Sequence, residues 1–167
     1  MAEAPPLPVV TLPDDIAAAV DDPRIRTVGL LIEAHARLMR DLDRRLRADT
    51  GVTLQTLEVL LRIGRSDEGW IPMSQLADTV ALTSGGITRL VDRLEAEGLV
   101  ARHRCMSDGR VVRLQLTEAG IDTLRRALAV HRSHLDDEVV APLRDLDVGA
   151  LERGLEALRA GSTTCFG

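Results

Sequence analysis

The sequence predicts a mainly α-helical fold carrying one small β-hairpin, and three observations predict it. Apolar residues recur at spacings of three and four over long stretches towards both ends of the chain. A middle segment from about residue 73 to 117 holds two short helical patterns in tandem. That segment closes on two short basic runs around Ser107, Asp108 and Gly109, where Asp-Gly is a strong turn dipeptide.

Taken in order, Pro5, Pro6, Pro8 and Pro13 make residues 1–23 an expected flexible arm, in which Asp14 to Val20 has the composition for a short helical turn. From about Ile25 to Ala48, Val28, Leu31, Ile32, His35, Met39, Leu42 and Leu46 form one stripe of a long amphipathic helix, and Gly51 supplies the left-handed stop. Thr53 is placed to cap a second helix over Leu54 to Ile63, with Gly64 as its expected stop. Trp70 and Ile71 read as a very short strand, with Trp70 packed under the hairpin, and Pro72 precedes a helix starting near Met73. After the hairpin, Thr117 caps a helix striped by Ile121, Leu124, Leu128, His131 and Leu135, which Pro142 is expected to break. A last helix from about Asp147 carries Leu151, Leu155 and Leu158.

With 167 residues and 45% hydrophobic content, residues 24–167 are expected to form a single domain around one core, with about 54–117 as its middle module and about 24–50 and 117–160 as flanking helices. Each flank has an apolar seam that a small domain struggles to cover alone. Homodimerisation through these helices is the expected solution, and packing of the seams within one subunit is the alternative. Charge interrupts every apolar run before the roughly 20 residues needed to span a bilayer, and the start of the chain lacks the basic and apolar segments of a secretory signal, so a cytoplasmic protein is expected. Cys105 and Cys165 are too far apart in the chain to make a disulfide framework or a metal cluster by spacing.

The middle segment carries the function. Ala77, Leu82, Ile87 and Leu90 meet the small and apolar requirements of a helix-turn-helix; Leu76 and Val80 pack its first helix, Ala81 sits in the turn, and Val91 and Leu94 complete the inner face of the second. Gly98 ends that helix. Leu99 to Arg104 and Val111 to Leu116 follow as strands, the second alternating Val112, Leu114 and Leu116 with Arg113 and Gln115. A helix-turn-helix followed at once by a basic hairpin is a winged helix. The chain has a net charge of -5, so nucleic-acid binding must rest on a local patch. Between Leu99 and Arg113 stand Arg102, Arg104, Arg110 and Arg113 against Asp108 alone, a local balance of +3. All 21 basic residues are arginine, and with one tryptophan, one phenylalanine and no tyrosine there is no aromatic platform for unpaired bases. Double-stranded DNA is the expected partner.

Residues 83–100, TSGGITRLVDRLEAEGLV, with SDGR at 107–110 and LQLT at 114–117, resemble the MarR family of multiple-antibiotic-resistance regulators. The resemblance covers roughly residues 25 to 160 and implies a homodimer, held by the terminal helices, that reads a pseudo-palindromic operator as a transcriptional repressor. It places Ser84, Gly85, Gly86, Thr88 and Arg89 on the half of the recognition helix that enters the major groove, with Arg93 one turn further. Thr83 or Ser84 is suited to cap this helix, and its two glycines to let backbone approach a phosphate. Asp108 and Arg110 match the family's wing motif, in which the arginine is presented to the minor groove and the aspartate holds the wing. Arg102, Arg104 and Arg113 are expected on phosphates, with a solvated basic face as the alternative.

The resemblance further implies a small-molecule effector, often phenolic, bound between the dimerisation helices and the DNA-binding lobe. His35, Met39 and His131 are its candidate contacts, and a satisfied buried histidine is the plainer reading of either histidine. His131 and His134, spaced i and i+3, lack the cysteines and carboxylates of a metal site, so neither metal nor cofactor is expected. Peroxide-sensing relatives carry a cysteine near the start of the first long helix, where this chain has none, which leaves Cys105 as a minor redox option. No triad order, phosphate loop or paired acidic motif points to an enzyme. The rival reading is a winged helix used for protein interaction or for non-specific architectural DNA binding.

Overall fold

The computed structural model describes residues 11–79, 84–104 and 111–161, which fall into two compact units, residues 1–39 and 40–167. In the first unit α1 (Asp14–Val20) carries Asp14 and Asp15 in its first turn, where carboxylates suit the positive end of the helix dipole. The segment over Asp14 to Val20 is therefore helical within the stretch the sequence reads as a flexible arm. Helix α2 (Pro23–Thr50) opens with proline at a position that has no intrahelical use for an amide. Asp22 Oδ1 accepts from the Arg24 amide at 2.8 Å. The Arg24 guanidinium first, and that amide second, hold the Asp22 carboxyl below the usual range. On this part of α2 Ile25, Val28, Leu31, Ile32, His35 and Met39 are all exposed.

In the second unit the remainder of α2 turns inward, burying Leu42 and Leu46. Gly51, at φ +74°, closes the helix in the left-handed region as expected. Thr53 caps α3 (Leu54–Gly64) by accepting from the Thr56 amide at 3.0 Å, while Asp43 of α2 accepts from the Leu54 amide at 2.8 Å. Two side chains thus satisfy two of the four amides that a helix start leaves open. The helix ends at Gly64 as expected, but without a left-handed φ there, and Arg65 forms the cap. The lack of a side chain at Gly64 serves packing, since a Cβ there meets Leu124 Cδ2 at 3.1 Å.

The sheet is antiparallel with strand order β1 (Trp70–Pro72), β3 (Val112–Leu116), β2 (Val100–Arg104). The hairpin strands are thus joined by β1, with Ile71 opposite Leu114 and Arg102 opposite Leu114 on the other side. Helices α4 (Met73–Thr79) and α5 (Ser84–Ala96) lie between β1 and β2 in the chain. Ile71, Leu76, Ile87, Leu90, Val91, Leu94, Val100 and Leu114 meet Val59, Leu60 and Ile63 of α3 in one core. Of the residues expected to build the helix-turn-helix, Val80, Ala81 and Leu82 lie outside the described residues, as does the side chain of Ala77.

Thr117 caps α6 (Glu118–Leu135), accepting from the Gly120 amide at 3.0 Å. Leu46, Leu57 and Ala127 form a second, smaller core where α2, α3 and α6 meet. The break expected at Pro142 is corrected. Helix α6 runs directly into a π-helical turn at Asp136–Val140, then into α7 (Ala141–Leu143), where Pro142 occupies a first-turn position that tolerates it. Arg45 of α2 holds that turn, donating to Asp137 Oδ2 at 2.7 Å and Glu138 Oε1 at 3.1 Å. Helix α8 (Val148–Gly161) follows, capped by Asp147 and exposing Leu151, Leu155 and Leu158. Among the described residues no helix is long and apolar enough to cross a membrane.

Candidate nucleic-acid interface

Helix α5 has two unlike faces because its apolar residues recur at helical spacing. Ile87, Leu90, Val91 and Leu94 are buried, which leaves Gly85, Thr88, Arg89, Asp92, Arg93 and Glu95 exposed on the other side. Gly98, at φ +70°, ends the turn after α5 and sends the chain into β2. The pleat of the sheet then decides where each arginine goes. Arg102 and Arg104 alternate with His103, so they share the face on which Leu114 is buried and α5 packs. Between them lies a groove of about 470 Å³, lined by Met73, Thr88, Glu95, Arg102, Arg104 and Val112.

Around this groove the structure brings together Thr88, Arg102 and Arg104, with Gly85 and Arg89 on the same exposed side of α5. Gly85 has open space around it: no described residue comes within 4 Å of the place a Cβ would take. Gly86 is half-buried, and Ser84 is the first residue of α5. Arg93 is turned back onto the scaffold: its Nη2 donates to Thr56 Oγ1 at 3.3 Å, and its Nε lies 3.7 Å from Glu97 Oε1. Arg102 pairs with Asp92 and Glu95 of α5. Arg104 is exposed, and neither it nor Arg89 has a carboxylate partner among the described residues. Arg113 follows the pleat to the opposite face, where its guanidinium lies 3.8 Å from the centroid of the Trp70 ring. Asp108 and Arg110, the expected wing-tip contacts, lie outside the described residues, as do Cys105 and Cys165.

The candidate effector contacts fall in different units: His35 and Met39 are exposed in the first, His131 is half-buried in the second. Burial first, and the neighbouring His134 second, lower the His131 pKa below its ordinary value. His134 is buried, and its Nε2 lies 2.8 Å from Asp49 Oδ2, a partner one helix away that spacing along the chain does not reveal. Among the described residues no three metal-binding side chains come together. Sequence reasoning also missed the part played by Asp92 and Glu95, although their i, i+3 spacing on α5 is a readable sign of two acids sharing one side.

Comparison with known proteins agrees with this architecture. Residues 50–111 match the MarR family. The HTH-type transcriptional regulator MhqR of Bacillus subtilis (strain 168) is 36% identical over 77 residues, 46% of this chain and 52% of that protein. The chain thus spans about half the length of the curated relatives it matches. Likeness to solved structures extends further. AbsC, a MarR family transcriptional regulator from Streptomyces coelicolor, is 26% identical with a TM-score of 0.73, covering 93% of this chain and 99% of that one. Sco3205, a MarR family regulator from the same organism solved in complex with DNA, is 28% identical with a TM-score of 0.71, covering 81% and 86%. BldR from Sulfolobus solfataricus is 26% identical with a TM-score of 0.72, covering 83% and 96%.

Proposed function

We propose that the chain, whose residues 50–111 match the MarR family, is a transcriptional regulator that binds double-stranded DNA sequence-specifically, as a homodimer on a pseudo-palindromic operator. The family and the relatives it matches are transcriptional regulators, not enzymes. The observation that carries the reading is the groove in which Thr88 of α5 faces Arg102 and Arg104 of β2. A chain of net charge -5 needs local cations that carboxylates do not hold if it is to approach a polyanion, and Arg89 and Arg104 have no carboxylate partner among the described residues. In this reading the start of α5, with Ser84, Gly85, Gly86, Thr88 and Arg89, enters the major groove. Arg104 meets phosphate, and the segment with Asp108 and Arg110 reaches the adjacent minor groove. The exposed leucines of α8 and the apolar stripe of α2 are the surfaces a second copy covers. A cytoplasmic site of action, repression and response to a phenolic effector belong to the same proposal.

Gel-shift titration at increasing salt tests it. The expected result is a preference, retained as salt rises, for one inverted repeat with half-sites about 10 base pairs apart. Equal affinity for that repeat and a scrambled duplex supports the architectural alternative, and absence of any retardation supports a protein-interaction module. Light scattering reads the dimer. For the effector, an unaltered response after His35→Gln and His131→Gln removes those residues as contacts.

A further inference from the structure

Two carboxylates stand on the side of the recognition helix that faces the wing. Asp92 and Glu95 both reach one guanidinium across the groove: Arg102 Nη2 lies 2.6 Å from Asp92 Oδ1 and Nη1 lies 3.0 Å from Glu95 Oε2. The Arg102 side chain is 26% exposed, against 55% for Asp92 and 43% for Glu95, so the cation sits in the joint while the acids stand at its rim. Its backbone is fixed from behind, since Arg102 pairs in register with Leu114, a residue wholly withdrawn from solvent. A planar fork that engages two separate acceptors sets an angle as well as a distance. The other flank of α5 is tied as well, through Arg93 to Thr56 of α3.

Electrostatics make this arrangement costly for a helix that meets DNA unless it serves a purpose. Each carboxylate on α5 repels phosphate, and Arg102 neutralises one of the two while drawing both towards the wing. A guanidinium held by two acids is also poorly placed to serve as a phosphate ligand, because a phosphate must compete with both. We propose that Arg102 is a positioning residue: by bridging Asp92 and Glu95 it locks β2 to α5, so that recognition helix and wing meet the duplex at one fixed angle. It acts on DNA through that geometry and makes no phosphate contact of its own. The proposal rests on the DNA-binding reading above.

The sign of one experiment separates the two roles. The double variant Asp92→Asn, Glu95→Gln makes the protein less negative and frees Arg102. If Arg102 is a phosphate ligand, this variant binds an operator duplex as tightly as the wild type or more tightly, with a steeper salt dependence; that result overturns the proposal. If Arg102 is the lock, the variant binds roughly tenfold more weakly despite its gain in positive charge. Arg102→Gln then loses a similar factor while the slope of log affinity against log salt stays unchanged. A slope that falls by about 0.9, the value of one lost phosphate contact, contradicts the lock. Arg102→Lys, which keeps the charge and leaves α5 untouched, is the second variant. A lysine cannot reproduce the two-pronged geometry, so binding at the wild-type level overturns the proposal and a shortfall supports it. A wild-type chain that retards no duplex fails the functional reading itself, and that outcome is read before any variant is compared.

Discussion

Gly120 and Leu99 are in backbone contact: a Cβ on Gly120 sits 2.0 Å from the Leu99 carbonyl oxygen. The same carbonyl accepts from the Thr117 amide at 3.1 Å, and Thr117 Oγ1 donates to the Gly98 carbonyl at 2.6 Å. The first turn of α6 is therefore seated directly on the link between α5 and β2. Gly120→Ala must push the two segments apart, and its better helix propensity offsets only part of that cost. The expected loss is about 2 kcal/mol, read as a lower urea midpoint with an unchanged slope.

Gly85 predicts the opposite. No described residue occupies the space where its side chain would stand, and its φ is not left-handed. Gly85→Ala should stabilise the fold by about 0.5–1 kcal/mol through the unfolded chain. If the helix start lies against DNA, the same methyl weakens operator binding. A variant with a raised melting temperature and reduced affinity is the expected pair of results; unchanged affinity removes Gly85 from the interface.

Arg104, which lines the groove, and Arg89 of α5 are both exposed and provide the contrast to Arg102. Arg104→Ala should reduce the salt slope by about 0.9 and weaken binding to all sequences alike. Arg89→Ala should weaken the preferred repeat more than a scrambled one, as loss of a base contact does. Gel-shift titration at three or four salt concentrations distinguishes them.

His131 gives a pH dependence whose sign is fixed. Its folded pKa is lowered, first by burial and then by His134. Between that value and the ordinary one of about 6.5 the unfolded chain binds the proton more readily, so stability contributed by His131 is present above about pH 6.5 and is lost as pH falls through the folded pKa. Thermal melts from pH 8 to pH 5 should therefore fall more steeply for the wild type than for His131→Gln. Parallel curves would sink this assignment.

Trp70 is the single tryptophan of the chain, and it carries Arg113 over its ring. Arg113→Ala should cost about 1 kcal/mol of stability and alter the emission of Trp70, since it removes a cation from the face of the indole. Emission that is identical in the two proteins argues against the stacked geometry in solution.

Much of this architecture is legible in the sequence because it is written in local chemistry. Thr53 and Thr117 cap helices, Gly51 and Gly98 take left-handed turns, and the alternation around Leu114 identifies a half-buried strand. Each of these depends on a residue and its near neighbours. What escapes such a reading depends on partners far along the chain. Gly64 has the composition of a helix stop, yet Leu124, sixty residues on, gives the reason for it. Pro142 has the look of a helix breaker; the π-helical turn that precedes it is held by Arg45 of α2, which no local pattern announces. The candidate interface divides in the same way. Which residues of α5 face outward follows from periodicity, whereas which arginines are engaged by carboxylates or by Trp70 is decided by tertiary neighbours.

The pairing of β1 with β3 has a consequence for when the molecule becomes competent. Ile71 and Leu114 lie on either side of α4, α5 and β2 in the chain, so their pairing closes these three elements into one loop. On a ribosome, α5 is synthesised before β3, and that long-range closure must be completed before α5 gains its full support. Opening follows the reverse path. Fraying β2 from β3 disturbs α5 as well, because Arg102 ties β2 to Asp92 and Glu95, so amide exchange in α5 should follow the slow, cooperative class set by the sheet.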